Sequence, residues 1–243
     1  MINKFKKINY YLKNYYLYDI EKALKEILKF YLSNKKTCIN YFHINKTGGK
    51  YIKNLLNLYL DKDYFKSHEH SVKAKWINPK YKVMISIRDP IDRFISSYYS
   101  DLRYSQINNV NPSKYGQLFY QKYPNINSAI KGFINGEKEI GYLTQMGFMS
   151  SIRYWGEKKD FERMKNLVVI RTEYLKEDLL NFLTKEFGDF DKWNKIINNF
   201  QGDNFKQTNK SDYLLDEEIK KEFKEFLVEE YKLYNYLLTR VYL

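Results

Sequence analysis

A strand that runs straight into a helix through two adjacent glycines leaves few folds open to the chain around it. Residues 38–44, Cys-Ile-Asn-Tyr-Phe-His-Ile, carry no Lys, Arg, Asp or Glu. They lead into Asn45-Lys46-Thr47-Gly48-Gly49, and then into apolar residues at helical spacing, Ile52, Leu55, Leu56 and Tyr59. This pattern predicts a buried strand, a short loop and a helix. Gly48 and Gly49 let the backbone approach an anion closely. The helix behind them aims free N–H groups and a positive dipole end at the same place. Lys46 adds a mobile cation and Thr47 a hydroxyl donor. The physics is that of a P-loop in shortened form. The order differs from G-x-x-x-x-G-K-S/T, because the lysine precedes the glycines, which argues against an ordinary ATPase or kinase.

The same alternation continues along the chain. Residues 64–67 predict a second strand and residues 83–87, Val-Met-Ile-Ser-Ile, the clearest strand of all. Asp89-Pro90 ends that strand and opens a helix to about Ser105, with proline near the first helical position. Residues 126–135 and 161–165 read as helices, 167–170 as a strand, and 175–187 as an amphipathic helix ending at Gly188. Residues 216–239 read as one long helix, while 107–125 and 202–212 are polar and irregular. At the start, Ile20, Ala23, Leu24, Ile27, Leu28 and Tyr31 predict a helix within residues 8–33. With 243 residues the chain fits one domain, residues 1–36 being a helical extension packed on it. Strands alternating with helices imply an α/β fold: a P-loop-like three-layer sandwich with a central parallel sheet flanked by helices. Ligands bind such sheets at the carboxyl ends of the strands.

That edge receives a second group of polar residues. The strand at 83–87 leads into Arg88-Asp89-Pro90-Ile91-Asp92-Arg93-Phe94-Ile95-Ser96. Arginine grips a phosphate through two parallel hydrogen bonds, and Ser96, about two helical turns on, can add a third. The bland alternative is that Arg88 pairs with Asp89 or Asp92, a role that Arg93 fits better, four positions after Asp89.

Composition narrows the partners without choosing one. The formal net charge of +13 favours anionic partners. It also accompanies a general richness in Lys, Asn, Ile and Tyr. A single cysteine, Cys38, excludes an intramolecular disulfide. With a poor signal-peptide pattern and no long apolar span, the expected compartment is cytoplasmic.

Together, the two segments resemble the sulfotransferases that use 3′-phosphoadenosine-5′-phosphosulfate (PAPS), especially carbohydrate O-sulfotransferases of the heparan sulfate 2-O type. That family carries a P/N-K-T-G-G-T-S loop for the 5′-phosphosulfate and an R-D/N-P-x-D/E-R-x-x-S segment for the 3′-phosphate. The likeness is firm over about residues 39–100. It is looser at residues 168–179 and at Thr208-Asn209-Lys210-Ser211, which is similar to a late nucleotide-contacting loop. It implies PAPS as cofactor, held by Lys46, Thr47, Gly48, Gly49, Lys50, Tyr51, Arg88, Ser96, Lys210 and Ser211. Lys50-Tyr51 stand where the family has Thr-Ser, so a charge and a phenol replace two hydroxyls.

The resemblance extends to Lys66-Ser67-His68-Glu69-His70-Ser71. Sulfuryl transfer needs a base for the acceptor hydroxyl, and a neutral imidazole suits that near pH 7. The family's His-x-His implies His70 as the base, with His68 beside it. Lys46, which neutralises the leaving phosphate, is the third catalytic candidate. His-x-His with Glu69 is also a possible metal pair, but with no third His or Cys nearby no metal is expected. His43, alternating with Phe42 and Ile44, reads as a buried, satisfied histidine. The implied acceptor is a hydroxyl of an oligo- or polysaccharide. Arg103, Lys114, Lys122, Lys131 and Arg153 are candidates to line its cleft, and Tyr115, Tyr142 and Trp155 to stack on its sugars. On the residues alone, an ATP-dependent phosphotransferase and a basic nucleic-acid-binding protein stay open, although no nucleic-acid-binding motif occurs.

Overall fold

The computed structural model describes residues 38–68, 72–107, 119–137, 152–201 and 214–241. Four parallel strands form one sheet: β1 (Ile39–Phe42), β2 (Phe65–His68), β3 (Lys82–Ile87) and β4 (Leu167–Arg171), in the order β2-β1-β3-β4. Register is set by pairs such as Phe42 with His68, Phe42 with Ile85, and Ile85 with Val169. Near the end of the chain, Val241 bridges to Val169 of β4.

The strands read as nearly unbroken apolar runs because both faces of the sheet are covered. Ile39, Tyr41, Met84, Val168 and Ile170 point to one face. There they meet α1 (Gly49–Tyr59), α6 (Leu175–Phe187) and α7 (Phe190–Asn199) through Leu55, Leu56, Phe182, Leu183 and Trp193. Phe42, Val83, Ile85, Ile87 and Val169 point to the other face. Helices α4 (Ile152–Trp155), α5 (Lys158–Glu162) and α9 (Val228–Leu238) close it with Trp155, Phe161, Leu233 and Leu237. Each fully buried aliphatic or aromatic side chain contributes about 1.5–3 kcal/mol. A third cluster joins α2 (Pro90–Ile107), α3 (Ile126–Ile134) and α8 (Glu217–Phe226) around Phe94, Tyr98, Ile130 and Phe223. The expected parallel α/β sandwich with helices on both faces is thus present.

Two expectations need correction, and one helix is additional to them. The helix expected over residues 216–239 is two helices, α8 and α9, broken at Leu227 (φ −88°, ψ 18°). The halves serve different clusters: Ile219 and Phe223 pack with α2 and α3, whereas Leu233 and Leu237 pack on the sheet. The helix expected at 161–165 starts earlier, at Lys158, where the Asp160 carboxylate accepts the Glu157 N–H at 2.9 Å. Helix α7 had no counterpart in the sequence reading; it follows Gly188 at once, with Asp189 capping it through the Lys192 N–H. The helix expected within 8–33 and the loop expected at 202–212 lie outside the described residues.

The strand order has a consequence for ligands. From β1 the chain leaves across one face, through α1, to β2. From β3 it returns to β4 by way of α4 and α5 on the opposite face. The carboxyl ends of β1 and β3 therefore flank a topological switch point, the usual position of a ligand crevice in an open α/β sheet. These two ends carry the residue pairs singled out by the sequence, Lys46 with its glycines and Arg88 with Ser96.

Candidate functional site

The turn from β1 into α1 is built around its backbone. Lys46 (φ 63°) and Gly48 (φ 73°) both adopt the left-handed region, with Thr47 between them at negative φ. Alternation of this kind turns successive N–H groups towards one point, the geometry of an anion cradle. A left-handed lysine is strained, and such strain gathers at functional turns. Gly48 caps α1 without a side-chain hydrogen bond, and no acidic residue stands in the first turn. The amides at the start of α1 thus lack both a capping side chain and a neighbouring carboxylate.

Thr47 corrects an expectation. Its side chain is wholly buried, and its hydroxyl donates to the Ile44 carbonyl at 2.7 Å. That assigns the rest of the chain: Ser86 donates to Thr47 (2.7 Å) and the Tyr41 hydroxyl donates to Ser86 (2.7 Å). Three buried hydroxyls fasten the loop from below, so the Thr47 hydroxyl is directed away from the crevice. Burial pushes the Tyr41 phenol well above its ordinary range. Tyr51 also turns inward. Its hydroxyl donates to the Ile197 carbonyl at 3.0 Å and its ring meets Phe200 edge-on, which removes the phenol as a phosphate contact. Lys50 remains exposed in the first turn of α1.

Lys46 reaches across the crevice. Its Nζ donates to Ser100 Oγ of α2 at 2.5 Å. Ser100 lies four residues after Ser96, hence on the same helix face, so the lysine ends one turn from the serine expected to hold the second phosphate. The Ser96 hydroxyl makes no hydrogen bond among the described residues.

The turn from β3 into α2 works through side chains. Asp89 caps α2, its Oδ1 accepting the Ile91 and Asp92 N–H groups at 2.9 and 3.1 Å, with Pro90 in the first helical position. Its carboxylate also accepts the Tyr231 hydroxyl, at 3.0 and 3.2 Å, and its own N–H donates to Glu173. Burial and the Asp89 carboxylate raise the Tyr231 phenol. Arg93 does not pair with Asp89. It forms a buried ion pair with Glu230 of α9 at 3.2 Å, and Glu230 also takes the Ile152 N–H. Burial lowers the Arg93 guanidinium, Glu230 opposes that, and the nearby Arg88 charge adds to the lowering. Arg88 itself, part-exposed, forms no hydrogen bond or ion pair among the described residues. Its alternative partners, Asp89 and Asp92, are thus not what holds it.

A third turn, from β4 into α6, closes the site. Thr172 donates to the Ile87 carbonyl through both N–H (2.9 Å) and hydroxyl (2.8 Å). Arg171 grips the buried Asp178 through two guanidinium nitrogens, at 2.6 and 3.0 Å, which raises its pKa, and it stacks on Tyr174 at 4.2 Å. Leu175 lies against Gly48: a β-carbon on Gly48 would come within 3.3 Å of it.

The histidines separate. His68 is buried (5% exposed) and stacks on Phe42 at 4.6 Å. Asn40 gives its amide hydrogens to the Cys38 and Lys82 carbonyls, so its Oδ1 faces His68 and accepts from Nε2 at 3.1 Å. This is a core residue tying β2 to β1 rather than a base within reach of an acceptor. His70, two positions beyond β2, lies outside the described residues, as do Lys210 and Ser211. His43, expected to be buried, is part-exposed and packs against Gly49. In the middle region, Trp155 is a core residue at 5% exposure and so is not placed to stack on a sugar, whereas Lys122 is exposed and pairs with Glu137. Lys114, Tyr115 and Tyr142 are outside the described residues.

The site thus joins an amide-lined glycine turn, a reaching lysine and an uncommitted arginine with a nearby serine. Such a set can bind two separate phosphate groups. Sequence reasoning missed Ser100, Arg171 and the true place of His43. The glycine at position 49 was a usable signal for the last, since a helix start without a side chain leaves room for a neighbouring one. Among the described residues, no group of three or more His, Cys, Asp or Glu stands together, and no helix is long and apolar enough to cross a membrane. No family model matches this chain, and neither curated proteins nor solved structures give a match.

Proposed function

We propose that this chain is a P-loop-like sulfotransferase that moves a sulfuryl group from PAPS to a hydroxyl of a carbohydrate. The observation that carries the reading is the pairing of two unlike phosphate-binding turns on adjacent strands, Lys46 with Gly48 and Gly49 on β1 and Arg88 with Ser96 on β3. β1 and β3 are hydrogen-bonded neighbours, so both turns open at the same sheet edge, as one nucleotide with phosphates on both its 5′ and 3′ sides requires. Three features of the residues fit that ligand. The α1 N-terminus lacks a side-chain cap, Arg88 is uncommitted among the described residues, and Gly48 stands at the turn in the left-handed conformation without a side chain.

When bound, PAPS supplies a sulfuryl group already activated by its phosphate leaving group. Lys46 and the first amides of α1 hold positive potential at the 5′ end, preorganised before any charge develops there. Arg88 and Ser96 hold the 3′-phosphate and so fix the register, which is positioning rather than chemistry. With His68 held in the sheet, the acceptor's proton falls to His70. Ser100 keeps the Lys46 ammonium aimed across the crevice.

The test is transfer of label from radiolabelled PAPS to acidic oligosaccharides, with simple alcohols and tyrosine peptides as further arms. Label is expected in the oligosaccharide, and Lys46→Ala or His70→Ala should each lower turnover by at least about 100-fold. Undiminished turnover in both variants would sink the proposal, as would transfer of the γ-phosphate of ATP in its place.

A further inference from the structure

The first residue of α1 has no room for a side chain. A β-carbon on Gly49 would lie 1.8 Å from Cδ2 and 2.2 Å from Nε2 of His43. In a helix the Cα–Cβ bond tilts towards the N-terminus. The space that Gly49 leaves therefore faces the turn, and the imidazole edge carrying Nε2 fills it. That puts the ring against the first residue of α1, at a helix start that has no side-chain cap. Tyr41 stacks with the imidazole at 6.1 Å and 20°, and the Tyr41 hydroxyl is itself held by Ser86. The imidazole is thus backed by a fixed ring while remaining part-exposed at the carboxyl end of β1.

An aliphatic side chain would fill this space equally well. A histidine brings an N–H in either protonation state, at the place where the backbone donors gather. We infer that His43 is a phosphate-binding residue, donating a hydrogen bond to the same 5′-phosphate group that the glycine turn holds. Gly49 is the counterpart of that role: its missing side chain admits the ring. The inference rests on the reading of this turn as a phosphate cradle and adds to it a ligand supplied by the strand itself.

The experiment titrates the full chain with adenosine 5′-monophosphate, adenosine 3′-monophosphate and inorganic phosphate, by calorimetry and by NMR of the imidazoles. His43→Phe keeps an aromatic ring against Gly49 and Tyr41 but has no N–H. It should weaken the 5′-monophosphate about tenfold, the worth of one hydrogen bond to a charged group, and leave the 3′-monophosphate unchanged. His43→Gln, which restores a donor, should recover most of the loss. In the wild-type protein, with only three histidines, one imidazole signal should shift with the 5′-monophosphate and with inorganic phosphate. That signal should be absent from the His43→Phe spectrum. An unmoved His43 signal, or a His43→Phe protein with wild-type affinity, overturns the inference while leaving the cradle standing. A wild-type protein that binds neither monophosphate overturns the reading of the cradle instead. Should His43→Phe not fold, the wild-type titration decides, with His43→Gln serving to assign the signal.

Discussion

Two strand-to-helix turns lie at the carboxyl ends of neighbouring strands and are built by opposite means. The turn from β1 to α1 offers its backbone. It places left-handed residues at 46 and 48 and leaves the helix without a side-chain cap. The turn from β3 to α2 uses up its backbone donors, since Asp89 caps the helix and Glu173 takes the Asp89 N–H. It offers a side chain, Arg88. Each turn is pinned from beneath by one tyrosine proton, that of the buried Tyr41 acting through Ser86 and Thr47, and that of the part-buried Tyr231 acting on Asp89. A site made of both kinds can tell one phosphate from another, because amides surround an oxygen closely whereas a guanidinium on a side chain selects by direction.

The contrast breaks most severely at Glu230. Replacing it with Leu would take away the buried carboxylate that pairs with Arg93 beneath the second turn and accepts the Ile152 N–H, at a cost of about 3–5 kcal/mol. Chemical denaturation should show that loss, and a change under about 1 kcal/mol would mean that the pair does not anchor α2 to α9. Next comes Gly49→Ala, which forces the His43 ring out of its place. It should cost about 1–3 kcal/mol and weaken the 5′-monophosphate about tenfold, as loss of the His43 donor does. Adding His43→Ala should return most of the stability without returning the binding, and a double-mutant cycle that came out additive would separate the two residues.

Asp89→Ala removes the α2 cap and the partner of Tyr231. The expected loss is about 1–2 kcal/mol, with nucleotide still bound through the first turn. Loss of all binding in a folded Asp89→Ala protein would show that the turns are not independent. The gentlest probe is pH. Burial raises both phenols in the folded chain, so the folded state keeps protons that the unfolded state releases near pH 10. Stability should be complete below that pH and fall as pH rises above it. Tyr41→Phe or Tyr231→Phe should flatten part of the alkaline slope, and an unchanged slope in both would remove tyrosine protons from the account.

Much of this arrangement could be read from the sequence. The apolar runs of β3 and β4 are strands because both sheet faces are covered, and Gly188 ends α6 where expected. Lys46, Gly48, Gly49 and Arg88 stand out locally, since glycine next to lysine and arginine at a strand end are visible within a few residues. What stayed hidden depends on distant partners. The inward turn of the Thr47 hydroxyl is set by Ser86, 39 positions away, and the partner of Arg93 lies 137 positions away. The break at Leu227 exists because two clusters claim the two halves of one apolar stripe. His43 looked like a core residue because strand alternation places a side chain on a face without saying how far along that face the cover extends.

The claim at the centre is that one nucleotide spans both turns, and calorimetry with adenosine 3′,5′-bisphosphate tests it most directly. The account expects the bisphosphate to bind the wild-type protein more tightly than either monophosphate or ATP with magnesium. Arg88→Ala should weaken it roughly 10–100-fold, to about the affinity of the 5′-monophosphate, with folding stability within about 0.5 kcal/mol of wild type. Equal binding of ATP with magnesium, or wild-type affinity for the bisphosphate in Arg88→Ala, would contradict it.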